Sequence, residues 1–378
     1  MSAGGRAVRV AYLHDHGEIS GGETSLLALW EHLDRARFEP ILVGVGEGPF
    51  AAAARRLGVE CVAVEYPRFR GLLAPGGWRS LRRLRRLLRE LDAALVHGNT
   101  PRTNLAASTM RGAAAPAIIW HQRTLPRDSD WDVERRLGWL ADRIICNSAA
   151  VAERFGARRR NVVVVHNGVD TDRFRPGNGG AAVRSELGLA EGEVAVGIVG
   201  NFSPLKNHEL FLAAARRFRD GRSAARFLIV GGEVFAENRA RAAELRALAT
   251  ALDLEQTVTF VGRRDDMPRV MDALDVLVAA SSIEACSRAV LEAMAAGTPV
   301  VAARAGGNPE LVEAGASGLL FAPESAEDLA GVLELLIVDS DRRRAMGAAA
   351  RARAVEHFGI GKQVAAIEAV YTAVLDER

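Results

Sequence analysis

Short apolar runs alternate with amphipathic ones along the whole chain. In the first half the apolar runs are Val8–His14, Pro40–Val45, Cys61–Tyr66, Ala93–Gly98, Ala117–Gln122, Arg143–Ser148 and Asn161–Asn167. In the second half they are Val194–Gly200, Arg226–Gly232, Thr257–Gly262, Asp275–Ser281, Thr298–Arg304 and Gly318–Ala322. Each is short, nearly continuous and rich in Val or Ile. That is the pattern of parallel strands buried on both faces. Helix-like segments such as Thr24–Arg35 and Ala149–Gly156 separate them. The alternation predicts α/β architecture with doubly wound parallel sheets.

One core rarely grows past about 250–300 residues, so 378 residues predict two domains. The stretch 168–182 is rich in Gly, Asp and Pro and reads as the linker. The expected domains are 1–170 and 171–360, similar to each other and separated by a cleft. Residues 361–378 are expected to form a terminal helix that crosses back to the first domain.

Charge narrows the function. The chain holds 49 Lys plus Arg and 47 Asp plus Glu, a formal charge of +2, which excludes a strongly basic nucleic-acid binder by bulk charge. The balance is uneven. Residues 1–170 hold 25 basic and 18 acidic side chains; residues 171–378 hold 24 and 29. The basic excess includes Trp78–Arg89, a helix with apolar Leu81, Leu84, Leu88 and Leu91 and an arginine-rich opposite face. Two readings apply: a solvated helix, or a helix that docks on an anionic membrane. Uncharged stretches reach only about a dozen residues, against the roughly 20 that a spanning helix needs. The N-terminus leads directly into a strand-like run, and no secretion signal is expected. Cys61, Cys146 and Cys286 are scattered and odd in number, so neither a disulfide framework nor a paired metal motif is expected. The expected compartment is the cytoplasm, with the inner membrane face as the docking alternative.

Ligands of doubly wound sheets bind beyond the C-terminal ends of the strands. After the first strand come Gly21 and Gly22, ahead of a helix, where backbone amides can approach a phosphate. After the first strand of the second half come Gly200, Asn201 and, five residues on, Lys206. Only Lys206 and Lys362 are lysines among the 49 basic residues. A lysine kept in so arginine-rich a chain points to a need for a compact ammonium, here to neutralise a diphosphate. The plain alternative is a solvated surface lysine.

The segment Ser281–Val301 is the most specific. Ser287 is placed to cap a helix that ends at Gly297, which puts Glu284 on the preceding loop and Glu292 inside the helix. The amides of Arg288, Ala289 and Val290 lie between the two acids, placed for phosphate oxygens. Two acids at different levels suit a long ligand; the alternative is two solvated glutamates.

Glu284 and Glu292 make an E-x7-E motif that continues into Ala293–Ala302 and a Gly306–Gly307 turn. With His166–Phe174 and the Gly200-to-Lys206 loop, the chain resembles the retaining glycosyltransferases of family four over nearly its full length. The resemblance implies the GT-B fold, two Rossmann-like domains facing a cleft, and no metal or cofactor. It implies a nucleoside-diphosphate sugar as donor, with a hexose-type sugar, and a glycan, glycolipid or small-molecule acceptor. By the family pattern Glu284 holds sugar hydroxyls and Glu292 the ribose. Lys206 and the amides near Cys286, Ser287, Arg288 and Ala289 meet the diphosphate. Gly262 and Arg263 form the base-binding turn, Gly21 and Gly22 close on the donor, and His121 lies near the sugar. One departure stands out: Asn201 occupies a place where family members commonly carry arginine. Either Asn201 gives a neutral hydrogen bond, or an arginine such as Arg263 or, by preference, Arg288 reaches in. Ala285 and Cys286 also stand where Gly and a bulky apolar residue are frequent.

Several other residues have plainer expectations. Asp130–Asp132 and Asp170–Asp172 are D-x-D triplets, read as caps and turns rather than metal ligands. His14, His16, His97, His166 and His208 show no metal-ligand spacing. His16 and His97 are candidates for acceptor contact; His166 and His208 read as packing residues. Cys286 reads as a small buried hydrophobe. Rival functions are a nucleotide-sugar epimerase or hydrolase and a non-catalytic nucleotide-sugar-binding protein. A dehydrogenase is set aside because neither half carries the G-x-G-x-x-G fingerprint.

Overall fold

The computed structural model describes residues 6–66, 75–112, 115–125, 132–156, 160–220, 224–232 and 240–378. The chain divides into two compact units, Met1–His166 with Ile360–Arg378, and Asn167–Gly359.

The first unit holds β1 (Val8–Leu13), β2 (Phe38–Gly44), β3 (Glu60–Ala63), β4 (Leu95–Gly98), β5 (Ala117–Gln122), β6 (Arg143–Cys146) and β7 (Val162–Val164). Their order is β3-β2-β1-β4-β5-β6-β7, all parallel. The second unit holds β8 (Val194–Val199), β9 (Ala225–Val230), β10 (Val258–Gly262), β11 (Val276–Ala279), β12 (Val300–Ala303) and β13 (Gly318–Phe321). Their order is β10-β9-β8-β11-β12-β13, again parallel. The direction of strand order reverses beside β1 and β8. The crevices at β1/β4 and β8/β11 are therefore the switch points where such sheets bind ligands. The thirteen apolar runs of the sequence match these thirteen strands.

Both faces of the second sheet are buried. Val196, Ile198, Phe227, Ile229, Val276 and Val278 belong to one core, and Ala195, Leu228, Val230 and Leu277 to the other. Neighbours in sequence alternate between the cores because strand side chains alternate in direction. This explains why the strands are apolar throughout instead of every second residue.

The helix Ile360–Asp376 belongs to the first unit. Val364, Ile367, Tyr371 and Val374 pack with Tyr12, Leu26 and Trp30. Full burial of such a side chain is worth roughly 1.5–3 kcal/mol. The Asp34 N–H also donates to Glu368 at 2.9 Å.

Most of the segment read as a linker lies packed in the second unit. Val169 is buried, and its N–H donates to the Phe358 carbonyl at 2.8 Å. Arg351 Nη1 donates to the carbonyls of Thr171, Phe174 and Ala295. Asp272 accepts from the amides of Gly177 and Gly180. The division falls at His166/Asn167 instead. Glycine and proline here permit tight packing against the second unit rather than free movement.

The helix Pro75–Glu90 buries Leu81, Leu84 and Leu88, with Leu91 just beyond its end. Its remaining face is arginine-rich, and Trp78 is exposed. Among the described residues no helix is long and apolar enough to cross a membrane.

Candidate active site

In the second unit the loops after β8 and β11 flank the switch point. Lys206 ends a short turn, Pro204–Lys206, just ahead of the helix His208–Ala215. Its Nζ donates to Glu284 Oε2 at 2.6 Å, and the two side chains are 29% and 16% exposed. The lysine is thus held at the crevice across 78 residues of sequence, not solvated on a helix surface.

The helix Arg288–Ala296 starts and stops where the sequence places it. Ser287 is its N-cap and Gly297, at φ 81°, its C-cap. The Ser287 hydroxyl accepts from the Val290 N–H, so that amide, expected to face a phosphate, is already engaged. Arg288 and Ala289 form the opening turn, whose N–H groups lie beyond the reach of intrahelical acceptors. Glu292 is buried in the helix and accepts from Arg288 Nη2 at 2.9 Å. Burial raises the Glu292 pKa, and Arg288 opposes this. The Arg288 guanidinium is therefore engaged with Glu292, one turn along its own helix.

Backbone contacts fix the loops around these side chains. The Gly307 N–H donates to the Glu284 carbonyl at 2.8 Å. Gly306 has φ +53°, and a Cβ there would lie 2.0 Å from the same carbonyl oxygen. Gly231 has φ +143°, and a Cβ there would lie 1.8 Å from the Gly200 carbonyl oxygen. The Gly231 N–H donates to the Gly262 carbonyl. The loops after β8, β9 and β10 are so laced together, and Arg263 stands exposed beyond them. Asn201 Oδ1 is buried without a hydrogen-bond partner among the described residues. Its carboxamide is open to a neutral hydrogen bond, the first of the two options at that place. Cys286 is buried, its carbonyl accepts from Asn167 Nδ2 at 3.0 Å, and burial pushes its thiol up to about 12.

In the first unit Gly21 and Gly22 are not a loop before the helix. They are the opening residues of the helix Gly21–His32. Glu23 accepts from the Ser20 N–H and hydroxyl at 2.7 and 2.6 Å, which closes the helix start. Its other oxygen lies 2.9 Å from His14 Nε2 and 3.4 Å from His16 Nε2. Burial raises the Glu23 pKa, but the bonds from His14 and Ser20 outweigh it and hold the group near 2. The sequence shows no metal-ligand spacing, yet the fold brings His14, His16 and Glu23 within 4.8 Å of one another. The 2.9 Å contact is a hydrogen bond in length.

His121 is the penultimate residue of β5 and is buried, as is His97 on β4. His97 bonds to His121 and Tyr371, so its ring is engaged inside the protein rather than offered to an acceptor. His208 is buried edge-on against Phe202, as a packing histidine. Asp132 caps the helix Val133–Leu137, and Asp170 accepts from the amides of Asp172 and Arg173. These are the cap and turn roles expected; Asp130 and Trp131 lie outside the described residues. Sequence reasoning missed Tyr12, Arg123 and Tyr371 around the two histidines. Nothing in the spacing of residues up to 359 positions apart connects them.

Buried histidines give the fold a pH dependence. Burial, with Lys206 and Arg241 nearby, pulls His208 down to about 4. Burial and Arg123 pull His97 and His121 well below the usual value. Unfolded histidine titrates near 6.5, so between pH 6.5 and 4 the unfolded chain binds more protons. The stabilisation is complete above about pH 6.5 and is lost as pH falls toward 4. His208 alone accounts for about 3 kcal/mol. Urea midpoints are expected to fall steadily from pH 7 to 5; a flat profile would mean the folded rings are protonated.

Two family models match the chain. One, glycosyl transferases group 1, covers residues 181–353, and the other, Glycosyltransferase Family 4, covers 19–173. A D-inositol 3-phosphate glycosyltransferase of Nocardia farcinica is 40% identical over 232 residues, 59% of this chain and 50% of the relative. The enzyme of the same name from Streptomyces scabiei is 36% identical over 254 residues, 65% and 56% of the two chains. The chain spans about half the length of the curated relatives it matches. The crystal structure of Anabaena HepE in complex with UDP-glucose superimposes with a TM-score of 0.82 at 26% identity. That match covers 96% of this chain and 99% of HepE. The family-four model falls largely on the first parallel-sheet unit and the group 1 model on the second, where it spans Lys206, Glu284 and Glu292. The chain belongs to glycosyltransferase family four and has the GT-B fold.

Proposed function

We propose that the chain is a retaining glycosyltransferase that moves a hexose-type sugar from a nucleoside-diphosphate sugar to an acceptor. The observation that carries this reading is the Lys206–Glu284 pair at the β8/β11 switch point, beside the start of the Arg288 helix. An ammonium and first-turn amides together suit a leaving diphosphate, whose charge grows as the glycosidic bond breaks. Glu284 then holds sugar hydroxyls and Glu292 the ribose. The Gly262–Arg263 turn takes the base, and His121, with Gly21 and Gly22, engages the donor from the first unit. No side chain needs to attack the sugar, because in a front-face path the leaving phosphate oxygen takes the acceptor proton. The UDP-glucose bound to HepE and the names of the curated relatives support this reading.

The acceptor is proposed as a glycan, a glycolipid or a small polyol. The exposed arginine face of the helix Pro75–Glu90, with Trp78, fits contact with an anionic membrane and a lipid-linked acceptor. A panel of nucleotide sugars tests the whole reading, with inositol phosphate and lipid acceptors assayed with and without anionic vesicles. The expected result is thermal stabilisation by one donor and release of its nucleoside diphosphate. Stabilisation without release favours the non-catalytic binding protein. Release without acceptor favours the hydrolase.

A further inference from the structure

Four buried side chains of the first unit form one hydrogen-bonded chain. Tyr12 Oη lies 2.9 Å from Tyr371 Oη, which lies 2.5 Å from His97 Nδ1. His97 Nε2 lies 3.1 Å from His121 Nδ1. None of the four is more than 1% exposed. Tyr12 and His97 are register partners on β1 and β4, and His121 is two residues past Ile119, the β5 partner of His97. The three therefore share one face of the sheet. Tyr371 reaches them from the terminal helix Ile360–Asp376.

Arg123 sets the direction of the protons. Its Nη2 lies 3.1 Å from His121 Nδ1. A guanidinium only donates, so Nδ1 accepts and carries no proton. Burial and the charge of Arg123 hold both imidazoles neutral. The single His121 proton is then on Nε2. His97 Nε2 faces the bare Nδ1 of His121 and has to donate to it. His97 Nδ1 is bare in turn and accepts from the Tyr371 hydroxyl, whose oxygen accepts from Tyr12. One proton arrangement is consistent with every contact, with Arg123 and His97 sharing the single lone pair of His121 Nδ1. It leaves His121 Nε2–H at the end of the chain, buried and without a partner among the described residues.

We propose that Arg123 and His97, with Tyr371 acting through His97, are positioning residues that hold His121 in the tautomer whose Nε2–H donates to an oxygen of the bound ligand. The identity of that oxygen, a hydroxyl or phosphate oxygen of a nucleotide sugar, rests on the transferase reading. The tautomer does not. A donor fixed before the ligand arrives needs no reorganisation as charge develops on its acceptor.

Ring-¹⁵N spectra of the intact protein, with His121 assigned through His121→Gln, test the proposal without any substrate. The expected result is a protonated Nε2 and a bare Nδ1 on His121. The opposite assignment, or two averaged nitrogens, overturns it. Tyr371→Phe removes the hydroxyl and keeps the ring. It is expected to draw the ring nitrogens of His97 and His121 toward averaging. It should also lower kcat roughly tenfold while KM stays within about threefold. A folded Tyr371→Phe protein with the wild-type spectrum and kcat also overturns the proposal. Should this variant not fold, His97→Gln replaces it. Its amide can accept from Tyr371 and donate to His121, so the wild-type tautomer is expected to persist, whereas His97→Leu leaves Arg123 alone to hold it and is expected to draw the two His121 nitrogens toward averaging. If the tautomer responds as described but no nucleotide sugar is turned over, the transferase reading fails and the positioning role stands.

Discussion

Lys206→Ala is expected to lower kcat for nucleoside-diphosphate release by roughly 10²–10³-fold, the range seen when one preorganised charge-stabilising group is removed. The stability cost is expected to be small, about 1 kcal/mol or less. The Lys206–Glu284 pair is partly exposed, and water screens the carboxylate left behind. Steady-state kinetics and thermal unfolding on the same preparation separate the two effects. Lys206→Arg sharpens the test. The chain uses arginine for 47 of its 49 cations, yet a lysine stands here. A flat guanidinium cannot match a compact ammonium at 2.6 Å from Glu284, so only part of the activity should return. Full turnover in Lys206→Ala would reduce this lysine to a structural partner of Glu284 and remove the main support for the proposed chemistry.

Gly306→Ala is expected to destabilise the second unit by about 2–4 kcal/mol and to abolish the nucleotide-sugar thermal shift. Two costs combine. The residue sits at φ +53°, a conformation that costs a side-chain-bearing residue about 1–3 kcal/mol. The new methyl would also lie 2.0 Å from the Glu284 carbonyl oxygen and 3.0 Å from its carbon. Both are backbone atoms, so relief requires moving the loop that carries Glu284. Gly315→Ala provides the control. Gly315 has φ +87° but no atom within 4 Å of an added Cβ, so it carries the conformational cost alone. Thermal unfolding of both variants checks the comparison, at roughly 2–4 °C per kcal/mol for a unit of this size. If Gly306→Ala unfolds like Gly315→Ala and keeps the donor shift, the Gly306 contact does not position Glu284.

Much of the fold was legible because it rests on local rules. Parallel strands buried on both faces have to be apolar throughout, and all thirteen announce themselves. Ser287 and Gly297 bound their helix because a hydroxyl caps orphan amides and a residue at φ 81° tolerates no Cβ cheaply. The glycine pattern alone puts Gly21 and Gly22 one step too early, ahead of the helix they open. The cap is Ser20, closed by Glu23 three residues on, and glycine alone does not say whether it precedes a helix or opens it. The stretch 168–182 misled for a related reason. Glycine and proline mark a chain that changes direction, and a turn packed under Arg351 has the same composition as a free linker.

The sequence by itself determined the strand count, the helix that follows Glu284 and the resemblance that marks Lys206, Glu284 and Glu292. Each depends on spacings of a few residues or on a motif. Only the tertiary structure decided that Lys206 meets Glu284, that Arg288 is engaged by Glu292, and that His14 and His16 converge on Glu23. It alone linked Tyr371 to His97 and His121 across the sheet face. These pairings follow from strand register and the packing of a distant helix. Such contacts are made by whole elements folding together, so no local pattern in the chain encodes them.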